Sequence, residues 1–122
     1  MSKLRSYVEE IYKLAETNPF EVYEKYFTED SVVVDMDGSE TVGKTAIVAS
    51  MQNWVSKVTD EGTSKLISYV VSGDEMEGMV VSIWHYTFEH QEMGKMDYKQ
   101  ASITHWKNGK VYREQFIGDF AQ

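Results

Sequence analysis

Three carboxylates lie near the ends of segments rich in β-branched residues, where a strand can hold a side chain against a ligand. Asp35 closes the run that begins at Ser31. A carboxylate in dry surroundings has a raised pKa, and it can then remove a proton from a carbon beside a carbonyl group. The alternative is that Asp35 caps the following turn together with its neighbour Asp37. Both interpretations stay open, and Asp35 is the first candidate for a catalytic base.

Two further carboxylates lie near the carboxyl end of the chain, Glu114 and Asp119. Glu114 has the strand parity to point inward beside Phe116, and it can also pair with Lys110 or Arg113. Either carboxylate can instead be a solvated charge on an edge or terminal segment. Both are second-rank candidates for a group with a perturbed pKa.

Alternation in the two central strands predicts which side chains share a face. The inward positions are Ser82, Trp84, Tyr86, Phe88 and His90 on one strand and Gln100, Ser102, Thr104 and Trp106 on the next. With Tyr12, Trp54, Glu114 and Phe116 they predict an aromatic pocket with a band of hydroxyls and amides, suited to a small, mostly apolar ligand. The opposite face holds Val81, Ile83, His85, Ala101, Ile103 and His105, and it predicts a symmetric homodimer.

The segment from Gly38 to Thr45 matches the phosphate-loop pattern G-x-x-x-x-G-K-[ST], between a strand and a helix. Nucleotide binding is nevertheless disfavoured, because no parallel βαβ units follow it and no second strand ends in a magnesium-binding Asp. The three His have no metal-ligand spacing, so neither a metal nor a cofactor is predicted.

The elements that position these residues change period halfway along the chain. Apolar residues at helical spacing predict a helix over about Ser2 to Glu16, a second helix begun by Asn18 and Pro19, and a third that ends at Gly62. Four segments of alternating pattern then follow, separated by turn signals, at Lys65–Ser72, Val80–Gln91, Met96–Trp106 and Val111–Ile117. The order favours one α+β domain over residues 1–122, with the helices on one face of an antiparallel sheet.

The composition excludes several classes of function. The chain has 122 residues, a formal net charge of −8 and no Cys. An acidic surface disfavours nucleic acid as a partner, and the absence of Cys excludes disulfides and thiolate chemistry. No stretch is apolar enough for a signal peptide or a membrane span, so a cytoplasmic protein is expected.

This order of elements resembles that of the nuclear transport factor 2-like superfamily, in its ketosteroid isomerase and SnoaL-like polyketide cyclase branch. The residues that carry the resemblance are Tyr26–Asp30, Asp37–Glu40 with Gly43 and Ile47, and His105–Val111. The resemblance implies a cystatin-like, cone-shaped curved sheet with three helices on its concave face. It also implies an isomerase, cyclase or dehydratase that needs no cofactor, or a non-enzymatic ligand-sensing or dimerising module.

The resemblance also implies roles for single residues. The general base of the isomerases falls on Asp35, and the acidic residue of the cyclases falls nearest Asp119. The oxyanion donors match less well, because the Tyr position falls on Ile11, one residue before Tyr12, and the late-strand Asp position falls on Thr104. Thr104, Tyr86 or Tyr12 is then expected to position the oxygen of a ligand other than a steroid.

Overall fold

The computed structural model describes residues 2–118. Within that range the chain forms three helices and six strands. In chain order they are α1 (Leu4–Thr17), α2 (Pro19–Tyr26), β1 (Phe27–Val34), β2 (Glu40–Val42), α3 (Lys44–Ser56), β3 (Val58–Gly73), β4 (Glu77–His90), β5 (Gly94–Lys107) and β6 (Lys110–Gly118).

The helices cover one face of the sheet because their apolar stripes meet its inward side chains. Leu4 and Val8 of α1 are buried, and Pro19 stands in the first turn of α2, where its missing N–H costs nothing. The Tyr7 ring stacks on Trp106 of β5 at 5.9 Å between centroids. The common core consists of Leu4, Val8, Val22, Tyr23, Tyr26, Phe27, Val33, Ile47, Val80, Trp106 and Val111. The predicted α+β architecture is confirmed.

The six strands form one curved sheet in the order β2-β1-β6-β5-β4-β3. The predicted meander from β3 to β6 is antiparallel throughout. β6 then runs parallel to β1, with Val33 beside Glu114. The sheet is therefore mixed, which corrects the expectation of a wholly antiparallel one. The parallel pair arises because β6 enters the sheet between β5 and β1 in the direction that β1 already has.

The prediction that Gly62 ends the third helix is wrong. α3 ends at Ser56, and β3 begins at Val58 and runs through Gly62. Gly62 has φ +57°, at a shift in the β3–β4 register, and a Cβ there would lie 1.8 Å from the Thr87 carbonyl oxygen. The glycine thus allows a bulge with close backbone approach, a role that sequence signals do not distinguish from a helix end.

Among residues 2–118, no helix has both the length and the apolar character that crossing a bilayer requires.

Candidate functional site

Glu114 of β6 is a buried carboxyl group on the inward face of the sheet. Its side chain is 9% exposed. The Ser102 hydroxyl donates to its Oε2 at 2.8 Å, whereas its Oε1 is buried and has no hydrogen-bond partner. Burial raises the pKa of Glu114 to about 7, and the Ser102 hydrogen bond offsets only part of that increase. The group can therefore exchange a proton near neutral pH.

Two phenols lie close enough to Glu114 to respond to its charge. Burial raises the pKa of Tyr23 on α2 and of Tyr86 on β4, and the negative charge of Glu114 raises both further. Both phenols stay protonated at neutral pH and remain hydrogen-bond donors. The carboxyl group is thus surrounded by weak acids and aromatic surface.

A second polar group lies on the neighbouring strands. Ser82 of β4 is directly opposite Ser102 of β5, and the Trp84 indole donates to the Ser82 hydroxyl at 3.2 Å. The Tyr12 ring of α1 packs edge-on against Trp84 at 5.3 Å. The Tyr12 hydroxyl is buried and makes no hydrogen bond of acceptable geometry. Burial raises its pKa to about 12, and the nearby Ser82 hydroxyl opposes the increase only in part. We call Tyr12, Tyr23, Ser82, Tyr86, Ser102 and Glu114 the polar interior.

Thr104 is half-buried and stands directly opposite Glu114 in the β5–β6 pair. Its hydroxyl accepts a hydrogen bond from the Trp106 indole at 3.0 Å. Trp106, predicted to line the pocket, is 1% exposed and packs in the core between Tyr7 and Tyr26. Of Thr104 and Trp106, only Thr104 therefore lies beside the polar interior.

Asp35 lies just beyond β1 and is exposed. Its Oδ1 accepts the Met36 N–H at 2.8 Å, and its carbonyl oxygen accepts the Gly38 N–H at 2.9 Å. These are the contacts of a residue that caps the following turn, the alternative weighed from the sequence. The pKa of Tyr98 is raised to about 12, mainly by burial and to a smaller extent by the negative charge of Asp35.

The strand register relates Asp35 to Glu114. Because Val33 lies beside Glu114 in the parallel pair, Asp35 continues the same face two residues farther along. The Gln100 side-chain amide contacts the Met36 sulfur at 3.6 Å. We call the region of Asp35, Met36, Tyr98 and Gln100 the mouth of the interior.

The remaining predicted lining residues have distinct surroundings. The Trp54 ring stacks on His90 at 3.9 Å and meets the Phe88 ring edge-on at 6.1 Å. His90 is buried, and its Nδ1 accepts the Glu92 N–H, so its Nε2 carries the hydrogen and donates to the Trp54 carbonyl. Phe116 is half-buried, opposite Ser102, and packs against the core.

The phosphate-loop pattern does not form a phosphate cradle. Its segment contains the short strand β2, and the partly buried Lys44 ammonium donates to the Glu24 carbonyl oxygen at 3.2 Å. The same ammonium pairs with Glu29 at 3.3 Å. Lys44 therefore caps the carboxyl end of α2, which supports the prediction against nucleotide binding.

Other titratable groups lie away from the polar interior. His85 pairs with Asp97, and the His105 ring contacts Tyr112, both on the outer face. A cleft of about 330 Å³ lies between the first residues of β3, the last residues of β4 and the first residues of β5. No three His, Asp or Glu side chains between residues 2 and 118 are grouped as metal ligands. Asp119 lies outside the described residues.

Sequence reasoning gave Glu114 a lower rank than the structure does. The sequence does contain a signal for Glu114, because it has the same strand parity as Phe116 and therefore points inward. The burial of Glu114, however, depends on four other elements. Tyr23 is not among the site residues that the sequence indicates. A phenol on a buried helical face, with an inward acidic residue on a neighbouring strand, is the pattern that would have indicated their proximity.

Comparison with solved structures identifies the fold. A nuclear transport factor 2-like protein of unknown function from Burkholderia xenovorans LB400 is 13% identical, with a TM-score of 0.73 over 98% of this chain and 85% of that one. A protein designated a SnoaL-like polyketide cyclase from Mesorhizobium loti is 18% identical, with a TM-score of 0.69 over 93% and 97% of the two chains.

A third solved structure contains a bound small molecule. It is a protein with a ketosteroid isomerase-like fold from Catenulispora acidiphila DSM 44928, in complex with trimethylamine. It is 15% identical, with a TM-score of 0.71 over 90% of this chain and 83% of that one. No family model and no curated protein matches the sequence. The resemblance expected from the sequence is thus confirmed at the level of the fold.

Proposed function

We propose that this chain binds a small, mostly apolar, ring-bearing carbonyl compound in its polar interior and moves a proton at the carbon beside the carbonyl. The observation that carries the proposal is the environment of the buried Glu114 carboxyl group. One of its oxygens is held by Ser102, and the other is buried without a partner. A buried polar atom without a partner is costly unless a ligand or a water satisfies it.

The protonation state of Glu114 determines what it can bind. Its pKa of about 7 leaves a large neutral fraction at physiological pH. The neutral carboxyl group donates a hydrogen bond to a carbonyl oxygen, and that bond strengthens as negative charge develops on the oxygen. Tyr23 and Tyr86 supply protonated phenols nearby, and Thr104 supplies a hydroxyl opposite Glu114.

The proposed base is Asp35, at the mouth. It continues the inward face of β1 two residues beyond the position of Glu114, so a ring compound held at Glu114 can extend toward it. Asp35 removes a proton from the carbon beside the carbonyl, Glu114 donates to the oxygen of the resulting enolate, and the proton returns at the same or another carbon. The step needs no cofactor.

The binding test uses β-tetralone, a two-ring enolisable ketone that is a hydrogen-bond acceptor only. Of the donors in the polar interior, only Glu114 changes its protonation in this range, and only its protonated form can donate to the ketone, so we expect the Kd to rise about tenfold between about pH 6 and about pH 8. Titration followed by tryptophan fluorescence measures this change. The Glu114→Gln variant should lose the pH dependence, and the exposed control Glu61→Gln should retain it. Binding that does not change with pH in the unaltered protein would refute the role of Glu114.

We also propose that the outer face of the sheet forms a symmetric homodimer. Ile83, Ala101 and Ile117 are aligned across three strands on that face. Ile83 is 38% exposed and Ile117 is 52% exposed, so this apolar row is available to a second copy. Light scattering on a sizing column should give twice the chain mass for the unaltered protein and the single-chain mass for Ile83→Lys. A monomer without any substitution would contradict the proposal.

A further inference from the structure

Met36 differs from its neighbours in the turn that follows β1. Asp35 and Asp37 are exposed, whereas Met36 is half-buried. The Gln100 side-chain amide contacts the Met36 sulfur at 3.6 Å. Gln100 belongs to β5, and β6 lies between β5 and β1 in the sheet. The Met36 side chain therefore extends from the end of β1 across β6 to β5.

Gly118, the last residue of β6, provides the space that this side chain occupies. It lies directly opposite Gln100 and two residues beyond Phe116, so a side chain at this position would point inward. A Cβ added to Gly118 would lie 2.5 Å from the Met36 sulfur, closer than two such atoms can approach. The sulfur therefore lies on the inward face of the sheet, over the end of β6.

The turn fixes the backbone of Met36, whereas its side chain is adaptable. The Asp35 N–H donates to the Ser39 carbonyl oxygen at 2.8 Å, and the Ser39 N–H donates to the Asp37 carboxylate at 2.9 Å. The Met36 side chain has three rotatable bonds, and its thioether sulfur is only a weak hydrogen-bond acceptor. A ligand that needs the space over Gly118 can displace this side chain, but the packing against Gln100 is then lost.

The separation of Glu114 from Met36 limits the length of a ligand that lies between them. Gly118 is four residues beyond Glu114 on β6, which is at most about 13 Å along a strand and less on a curved sheet. A ketone that is bound to Glu114 through its oxygen and extends toward the mouth has this length available. Two fused rings fit within it once the contact distances at both ends are subtracted, whereas a third fused ring reaches the Met36 sulfur.

We propose that Met36 is a specificity residue that limits the ligand to ring systems of one or two fused rings. This inference rests on the proposed function and narrows its substrate class. The ring ketones that bind are one-ring and two-ring compounds, and compounds of four fused rings such as steroids are excluded. Met36 contacts the end of the ligand that is remote from the carbonyl group, and it takes no part in the proton transfer.

The test compares β-tetralone with dihydroanthracenone, its linear analogue with one more benzene ring at the end away from the carbonyl. An additional buried ring ordinarily strengthens binding about tenfold. The unaltered protein should show no such gain, because the third ring must displace Met36. In Met36→Ala the space is open, so dihydroanthracenone should bind about tenfold more tightly than β-tetralone. Met36→Leu retains the bulk and should bind the two probes as the unaltered protein does. Equilibrium dialysis measures each Kd.

The matched control is Met76→Ala. Met76 is also a turn methionine whose N–H donates to a nearby aspartate, Asp74, at 2.9 Å. It lies in the turn before β4, however, and it is 55% exposed. The control should show no gain for dihydroanthracenone. Circular dichroism and thermal melting verify that each variant is folded before its two Kd values are compared.

The outcomes separate this inference from the proposed function. A tenfold preference of the unaltered protein for dihydroanthracenone would overturn the length limit, as would equal binding of the two probes by Met36→Ala. A preference that appears in Met36→Leu as strongly as in Met36→Ala would also overturn it, because the bulk of the side chain would then not be the cause. In contrast, β-tetralone binding that ignores both pH and Glu114→Gln would overturn the proposed function itself.

Discussion

The polar interior and the mouth each present one carboxylate on the same face of two adjacent parallel strands. Asp35 follows β1, and Glu114 belongs to β6. Glu114 is buried with one oxygen unsatisfied, whereas Asp35 is exposed and bonded to the turn that it begins. The position of a carboxylate along a strand therefore does not determine its burial or whether its oxygens are free to bind a ligand. The difference arises from the elements packed against each group, because only Glu114 is enclosed by helices and neighbouring strands.

The largest expected effect is on the pH dependence of stability. The pKa of Glu114 is about 7 in the folded chain, above its ordinary value of 4.5, so between these values the folded state holds a proton that the unfolded state has released. Its contribution to stability is complete below about pH 4.5 and is lost as the pH rises through about 7, on the order of 3 kcal/mol. Glu114→Gln removes this loss.

Urea unfolding of Glu114→Gln and of the unaltered protein from about pH 4 to about pH 8 measures the difference. The variant should gain relative stability as the pH rises. For the exposed control Glu61→Gln, the difference should stay within about 0.5 kcal/mol at every pH. If the two variants behave alike, Glu114 has no special environment, and the contrast with the mouth disappears.

The second prediction concerns chemistry at the interior. Glu114→Gln should slow the exchange of the α-hydrogens of β-tetralone with deuterated water about hundredfold, because an amide stabilises a developing enolate less than a carboxylic acid does. Proton NMR follows the exchange directly. If binding keeps its dependence on pH but the unaltered protein accelerates no exchange, the chain is a ligand-binding module without catalysis.

The third prediction concerns the mouth. Asp35→Asn should slow the same exchange about tenfold, less than Glu114→Gln does, because Asp35 is exposed and its Oδ1 is already held by the Met36 N–H, whereas Glu114 is enclosed beside the proposed oxygen. Asp37→Asn alters the neighbouring acid of the same turn and should change the rate less than twofold. A larger loss in Asp35→Asn than in Glu114→Gln would reverse the ranking of the two regions.

The smallest effect is expected from the backbone of the mouth turn. Gly38 has φ +86° and open space where a Cβ would be added, so Gly38→Ala should cost about 1 kcal/mol of unfolding free energy through backbone strain alone. Gly94→Ala is matched to it, with φ +77° and equally open space. Equal losses in thermal melting, with slower exchange only in Gly38→Ala, would connect the turn geometry to Asp35.

The sequence predicts the fold well because the fold depends on local signals. Helical spacing indicated α1, and period-two alternation correctly placed Ser82, Ser102 and Glu114 on one face. The environment of each residue is less predictable from the sequence, because it depends on contacts between residues that are distant along the chain. Lys44 matches the lysine of a phosphate-loop pattern, but its side chain caps α2. Gly62 has the sequence signal of a helix end, but in the structure it permits a bulge in β3. The same limit applies to Asp35, whose exposure no local pattern reveals.

The parallel pairing of β1 with β6 also has a kinetic consequence. It joins Val33 to Glu114 across about 80 intervening positions, a separation that makes loop closure slow and the pairing a late event. Until β6 inserts, Glu114 is in water and ionised at neutral pH. Completing the sheet therefore takes up a proton, and we expect the final folding phase to be faster in mildly acidic solution than in alkaline solution.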